Sequence, residues 1–169
     1  MNRVYVLFAI GFALITGLRA QTSEVQLIKL EELKALIDKQ DDTTRIFNFW
    51  ATWCMPCVRE LPFLDSFSRY SLKADEQLFL VSLDDAKKAK AKVSGFVKRK
   101  NLTAPVFLLD EDNPNEFIDA IDPTWIGSIP ATLVVRRDKR CFAEHEVHGT
   151  AELRDWVDNC VNFKNKQDE

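Results

Sequence analysis

Two cysteines separated by two residues, Cys54 and Cys57, are the side chains whose type and spacing point most directly to chemistry. Thiols at this spacing in the first helical turn can close a reversible disulfide. The backbone amides there stabilise a thiolate and lower the pKa of the first thiol from ~8.5 to roughly 3.5–7.5. Residues 45–49 have the composition of a buried strand, and apolar residues at helical spacing follow the pair. The pattern predicts a redox-active dithiol with Cys54 as nucleophile and Cys57 as the more buried resolving thiol.

Haem or zinc binding by a C-x-x-C pair requires further residues that this chain does not place in the usual pattern. A c-type haem site needs histidine directly after the second cysteine, where this chain has Val58. A structural zinc site needs two more ligands at matching spacing. The candidates for those ligands are Cys141, His145, His148 and Cys160. No second C-x-x-C exists, and zinc does not explain the aromatic residues before Cys54. The redox interpretation is therefore preferred, and neither a metal nor another cofactor is expected.

Several motifs in a fixed order make the chain similar to the thioredoxin superfamily. Residues 53–57 fit W-C-x-P-C, and Pro62 lies where thioredoxins carry the proline that kinks the active-site helix. Residues 129–132 fit the cis-proline loop of that superfamily. Residues 57–62 resemble the C-x-x-E-x-P continuation found in extracytoplasmic reductases of the TlpA/ResA type. The resemblance covers nearly all of the chain after residue 24.

Alternating strand and helix patterns predict one α/β domain with a mixed central sheet between helices. The expected strands are residues 25–28, 45–49, 78–83, 106–109, 132–136 and 141–147, the last two joined by a turn at 137–140. The expected helices are residues 31–38, the active-site helix to about Tyr70, 86–100, 113–121 and 151–162. The resemblance implies a thioredoxin-like three-layer sandwich, with residues 86–121 as a central strand–helix insertion. The lysines of 86–100 are interpreted as a solvated helix face.

The resemblance also implies a substrate-binding surface around the disulfide. Its members would be Trp53, Met55, Pro56, Ile129 and Pro130. A cis Ile129–Pro130 bond would turn the backbone polar groups of Ile129 toward the disulfide, ready to pair with an extended substrate segment.

Proton transfer at this site is expected to depart from that of thioredoxins. They carry a buried aspartate six residues before the first cysteine, where this chain has Asn48, which cannot exchange protons. Glu60 follows Cys57 by three residues and so lies about one helical turn away. The resemblance makes Glu60 an active-site acid/base. The alternative is a glutamate on the solvent side of the helix.

The sequence leaves the roles of four other residues open. Trp50 and Trp125 suit either the surface near the disulfide or the core. Cys141 and Cys160 are interpreted as small core residues outside the catalytic cycle. In an exported protein they could also pair as a structural disulfide.

Residues 1–20 have the pattern of a secretory signal. Arg3 precedes an apolar run, residues 4–15, and cleavage after Ala20 would leave a domain at residues 21–169. The run is shorter than the ~20 residues of a spanning helix, although an uncleaved membrane anchor is the alternative. The mature chain would carry 26 acidic and 21 basic residues, a net charge of −5. That charge gives no reason to expect nucleic acid as a partner.

These observations predict a periplasmic thiol–disulfide oxidoreductase that reduces protein disulfides. The expected partners are protein thiol or disulfide substrates and a membrane or extracytoplasmic thiol electron donor. Cytochrome c maturation is one activity of the group that the chain resembles. One alternative is a thiol peroxidase, although the residues before Cys54 do not fit P-x-x-x-T/S-x-x-C. The other is a Cu(I) chaperone, although the chain lacks both C-x-x-x-C spacing and a histidine near the cis-proline loop.

Overall fold

A mixed sheet of six strands forms the centre of the computed structural model, which describes residues 23–111 and 113–162. The strands are β1 (Val25–Ile28), β2 (Thr44–Trp50), β3 (Glu76–Ser82), β4 (Val106–Leu109), β5 (Ala131–Arg136) and β6 (Lys139–Ala143). The helices are α1 (Leu30–Ile37), α2 (Met55–Tyr70), α3 (Ala86–Lys100), α4 (Pro114–Ile121) and α5 (Thr150–Asn162). Across the sheet the order is β1-β4-β3-β2-β5-β6. Strands β1 to β4 pair in parallel, whereas β5 and β6 are antiparallel to their neighbours.

The central strand β2 is buried on both faces, and its alternating side chains divide the core in two. Ile46 and Trp50 belong to the apolar cluster under α2, α3 and α5. Phe47 and Phe49 belong to the cluster under α1 and α4. Successive strand residues point to opposite faces, so Asn48 points to the same side as Ile46, toward α2. The architecture is a three-layer α/β/α sandwich, which confirms the predicted fold class.

The predicted central insertion is confirmed as α3, β4 and α4. Strand β4 lies between β1 and β3 and pairs in parallel with both. Helix α3 buries Val93, Phe96 and Val97, while its lysines are exposed. This agrees with the prediction of a solvated lysine face.

The prediction for the last strand is wrong at both ends. Strand β6 spans Lys139–Ala143 rather than residues 141–147, and the turn before it contains only Arg137 and Asp138. Arg137 has a φ of 52°, which closes this short turn. Residues 144–147 leave the sheet because they bond to the active-site region instead, Glu144 through its side chain and Val147 through its backbone N–H.

A second disulfide joins Cys141 on β6 to Cys160 on α5. The sequence separation of 19 residues encloses the whole segment that connects the hairpin to the last helix. The structural disulfide between Cys141 and Cys160, which the sequence left as one of two possibilities, is therefore present. It also excludes these two cysteines as thiolate ligands of zinc in this state.

The predicted secretory signal, residues 1–20, lies outside the described residues. Within residues 23–111 and 113–162, no helix is both long enough and apolar enough to cross a membrane.

Replacing Cys141 and Cys160 together by alanine is expected to lower the free energy of unfolding by roughly 2–4 kcal/mol. The physical reason is that the disulfide restricts the unfolded chain over a 19-residue separation. Denaturant unfolding of the oxidised proteins measures this change. Insulin reduction by the folded variant should match that of the unsubstituted protein, and a loss of activity without unfolding would show that this disulfide takes part in the reaction.

Candidate active site

Cys54 and Cys57 form a disulfide at the start of α2, with their Cα atoms 5.3 Å apart. Cys54 is the N-cap residue, and its sulfur accepts the N–H of Cys57 at 3.2 Å. The N–H of Cys54 donates to the carbonyl of Ala51 at 3.1 Å and closes a turn before the helix. Cys57 is fully buried, whereas Cys54 keeps 6% of its surface exposed. This order of burial agrees with the roles predicted for the two thiols.

The residues around the cysteines combine a rigid helix start with an exposed apolar surface. Pro56 lies in the first turn of α2, where its missing N–H leaves no intrahelical bond unmade. Trp53 and Met55 flank Cys54, and each is 63% exposed. Trp50 is fully buried, so it belongs to the core and not to the surface near the disulfide.

The loop before β5 faces the disulfide through a cis peptide bond between Ile129 and Pro130, as predicted. The carbonyl oxygen of Ile129 lies 3.6 Å from the sulfur of Cys54. Strands β2 and β5 pair with Phe49 opposite Ala131, which brings the residues before Ala131 to the end of β2 and thus to the cysteines. The predicted substrate-binding residues at 129–130 are therefore beside the redox pair.

The same loop presents an apolar side chain that the sequence analysis did not single out. Ile126 is 86% exposed, and Gly127 next to it has a φ of 94°. The carboxylate of Glu144 accepts the N–H groups of Ile126 and Ser128, both at 2.9 Å. Buried Trp125 donates its indole N–H to the carbonyl of Ser128 and anchors the loop from below, so it does not cover a groove.

Glu60 is fully buried, contrary to the solvent-facing alternative. One carboxylate oxygen accepts the side-chain amide of Asn48 at 2.7 Å, and the other accepts the N–H of Val147 at 2.7 Å. Asn48 also donates to the hydroxyl of Thr132 at 3.1 Å, while its own Oδ1 has no partner. The structure thus joins the two residues on which the expected proton chemistry depends.

Burial raises the pKa of Glu60 from 4.5 to about 7. The hydrogen bonds from Val147 and Asn48 favour the charged form and oppose this shift, whereas the negative charges of Glu146 and Glu152 reinforce it. A carboxyl group with this pKa can exchange a proton near neutral pH.

Comparison with known proteins agrees with this fold. The Redoxin family model matches residues 19–152. The thiol–disulfide oxidoreductase ResA of Bacillus cereus strain ZK / E33L is 28% identical over 140 residues, covering 77% of this chain and 75% of that protein. ResA of Geobacillus kaustophilus is 24% identical over 159 residues, covering 89% of this chain and 85% of that protein.

Solved structures show the same fold at low sequence identity. A thioredoxin-related protein from Neisseria meningitidis serogroup B superposes with a TM-score of 0.63 at 24% identity, covering 74% of this chain and 90% of the other. StoA from Bacillus subtilis superposes with a TM-score of 0.54 at 24% identity, covering 70% of this chain and 84% of the other.

Replacing Glu60 by glutamine should change how stability depends on pH. Because the pKa of Glu60 is raised to about 7, the folded protein binds more protons than the unfolded chain between pH 4.5 and 7. The unfolding free energy of the wild type minus that of Glu60→Gln should therefore fall as pH rises, by roughly 3 kcal/mol between pH 4 and 8. Denaturant titrations of both oxidised proteins across this range measure the difference.

Glu76→Gln provides a control with the opposite sign. Burial alone would raise the pKa of Glu76, but the hydrogen bonds from Arg154 and from the N–H of Lys73, together with the positive charges of these two residues, hold the pKa below its ordinary value. The unfolding free energy of the wild type minus that of Glu76→Gln should therefore rise with pH. This difference should reach its full value above pH ~4.3, the pKa of glutamate in the unfolded chain. A flat difference curve for Glu60→Gln would contradict the raised pKa.

Proposed function

This chain belongs to the Redoxin family, and we propose that it is an extracytoplasmic thiol–disulfide oxidoreductase that reduces disulfides in proteins. The observation that carries the proposal is the Cys54–Cys57 disulfide at a helix start, facing the carbonyl of Ile129 and backed by buried Glu60. The oxidoreductase names of the ResA relatives support it.

The first step uses the reduced pair. The thiolate of Cys54 attacks one sulfur of a substrate disulfide, forms a mixed disulfide and releases the other substrate sulfur as a thiolate. The amides at the start of α2 favour negative charge on Cys54, since the N–H of Cys57 already points at its sulfur. The exposed edge of Cys54 makes it the thiol that a protein substrate can reach.

The second step requires Cys57 to lose its proton. The sulfur of Cys57 then attacks Cys54 in the mixed disulfide, releases the second substrate thiolate and leaves the Cys54–Cys57 disulfide. We assign the proton to Glu60, one helical turn from Cys57, because Asn48 cannot take it. Once protonated, the carboxyl group of Glu60 can donate a hydrogen bond. Rotation of the Asn48 side-chain amide by half a turn would bring its unpartnered Oδ1 to Glu60 as the acceptor.

A protein substrate would lie across an apolar surface around Cys54. Trp53, Met55 and Ile126 are strongly exposed and carry no charge. Pro56 and the backbone of Ile129 complete this surface beside the cysteines, the latter as the hydrogen-bonding partner of an extended substrate segment.

The partners follow from the chemistry. Each substrate disulfide reduced leaves Cys54 and Cys57 oxidised, so a membrane or extracytoplasmic thiol donor must supply two electrons per cycle. With cleavage of the predicted signal at residues 1–20, this cycle would run in the periplasm, where maturation of cytochrome c is one process that needs such a reductase.

Insulin reduction with a thiol donor, run beside titration of the reduced protein with Cu(I), tests the proposal. Turnover of insulin disulfides is expected. Tight copper binding without turnover would favour the chaperone alternative, and peroxide consumption without insulin reduction would favour the peroxidase.

Single cysteine variants should separate the two thiol roles. Cys54→Ser should abolish insulin reduction, because no accessible nucleophile remains. Cys57→Ser should accumulate a mixed disulfide with substrate, visible by mass spectrometry, because nothing resolves it. Preferential labelling of Cys57 over Cys54 by limiting alkylating reagent would reverse the assignment.

Ile126→Ser should weaken binding of protein substrates without impairing the thiol chemistry. Burying an isoleucine side chain contributes about 1.5–3 kcal/mol when complete, so KM for insulin should rise about tenfold. The rate with a small aromatic disulfide should change less than about twofold. Leu27→Ser is the matched control, because Leu27 is an apolar side chain that is 45% exposed on β1, the edge strand farthest from β5 and β6. An unchanged KM for Ile126→Ser would remove this residue from the binding surface.

A further inference from the structure

A buried carboxylate, Asp84, holds the turn that leads into Cys54, and the steps described above do not account for it. Asp84 is 3% exposed and lies two residues after the end of β3. One of its oxygens accepts the N–H of Thr52 at 2.8 Å, and the other accepts the hydroxyl of Thr52 at 2.5 Å. The hydroxyl of Ser82 donates to it at 2.9 Å.

Three donors therefore converge on the two oxygens of Asp84. An ionised carboxylate only accepts hydrogen bonds, so it satisfies this arrangement completely. Such charge-assisted hydrogen bonds are roughly twice as strong as neutral ones. The turn residue Thr52 is thus held by both its backbone and its side chain.

The position of Asp84 follows from where the sheet ends. The pairing of β2 with β3 stops at Trp50 opposite Ser82, and the N–H of Leu83 makes one more bond to the carbonyl of Trp50. Beyond this point the two chains separate, and the N–H of Thr52 loses its ladder partner. The side chain of Asp84 supplies the missing acceptor at the place where the backbone no longer can.

Asp84 is not needed to start the next helix. Its neighbour Asp85 is the N-cap of α3 and accepts the N–H groups of Lys87 and Lys88 at 3.0 and 3.2 Å. Two consecutive aspartates therefore have separate partners, one on the helix and one on the active-site turn.

We propose that Asp84 is a positioning residue of thiol–disulfide exchange, which holds the turn at residues 51–54 through Thr52 and lowers the tendency of the Cys54–Cys57 pair to be reduced. The proposal rests on the function proposed above. The turn is closed by the N–H of Cys54, so its geometry sets where the sulfur of Cys54 lies relative to Ile129.

The charge effect has a defined direction. Two residues of chain span at most about 7 Å, so Asp84, bonded to Thr52, lies within about 11 Å of the Cα of Cys54. Reduction turns a neutral disulfide into a pair that includes an anionic thiolate, which a nearby negative charge disfavours. Removing the charge should therefore favour the reduced form, by about twofold to tenfold for charges at this separation.

Glutathione titration measures this effect directly. Two molecules of reduced glutathione donate two electrons to the Cys54–Cys57 disulfide and leave the dithiol and one molecule of oxidised glutathione. For Asp84→Asn the equilibrium constant of this reaction should increase about twofold to tenfold. An equilibrium constant equal to that of the wild type would overturn the electrostatic part of the proposal.

Asp65→Asn is the matched control. Asp65 is also a buried carboxylate, 7% exposed, and it accepts the N–H groups of Thr103 and Ala104 at 2.6 and 2.9 Å. It makes no bond to the active-site turn. This variant should lose stability while its glutathione equilibrium constant stays at the wild-type value, and an equal change in both variants would mean that Asp84 acts only on stability.

Thr52→Val tests the positioning part without removing the charge. It deletes the hydroxyl that bonds Asp84 and keeps the backbone N–H, so the folded variant should reduce insulin about tenfold more slowly. Thr52→Ser, which restores the hydroxyl, should recover the rate. Wild-type turnover by folded Thr52→Val would overturn this part.

The two proposals fail separately. A wild-type protein that does not reduce insulin would refute the proposed function, whereas the glutathione equilibrium constants report on Asp84 with no protein substrate present.

Discussion

The strand β2 has to be buried on both faces and end at the redox pair, and the other features of the site depend on this constraint. Its alternation sends Phe47 and Phe49 to one core and Ile46 and Trp50 to the other. The same alternation directs Asn48 toward α2, where it meets Glu60 at 2.7 Å. A shift of one residue in the pairing of β2 would exchange the two sets of side chains and remove this contact.

Where the strands end, side-chain carboxylates take over from the backbone ladder. Asp84 bonds the turn before Cys54, and Glu144 bonds the loop before Pro130. In each case a carboxylate accepts N–H groups that no strand partner reaches. A buried or constrained N–H without an acceptor is costly, so these two residues allow both loops to leave the sheet while keeping a defined shape beside the disulfide.

The segment between β6 and α5 links this arrangement to the second disulfide. It supplies the N–H of Val147 to Glu60 and the carboxylate of Glu146 to Arg59, 2.6 Å away. The disulfide between Cys141 and Cys160 joins the strand before this segment to the helix after it. Burial raises the pKa of Glu60, and this segment acts on it in both directions, since the N–H of Val147 lowers the pKa and the negative charge of Glu146 raises it.

Local features of the sequence were sufficient to identify much of the protein. The C-x-x-C pair, Pro56 and the apolar periods around them are short-range signals, and the cysteines, the helix α2 and its flanking strand lie where those signals indicate. The alternation of strand and helix patterns was also sufficient to predict a mixed sheet between helices, whereas the family resemblance supplied the three-layer thioredoxin-like fold and its central insertion. The family resemblance supplied the cis bond before Pro130 and the interest in Glu60.

Contacts between distant residues were decided by the tertiary structure alone. Asn48 and Glu60 are 12 residues apart, Glu60 and Val147 are 87 apart, and Thr52 and Asp84 are 32 apart. Nothing in the local sequence shows which way these side chains point or which backbone donors lack a partner, because both depend on strand pairing and on where each ladder stops. The same reason explains the error over β6: residues 144–147 have strand-like neighbours, but the side chain of Glu144 bonds the loop before Pro130 and the N–H of Val147 bonds Glu60 on α2. The sequence by itself therefore determined the redox chemistry and the fold, whereas the packing of distant segments decided how the cysteines are positioned and brought Glu60 together with Asn48 and Val147.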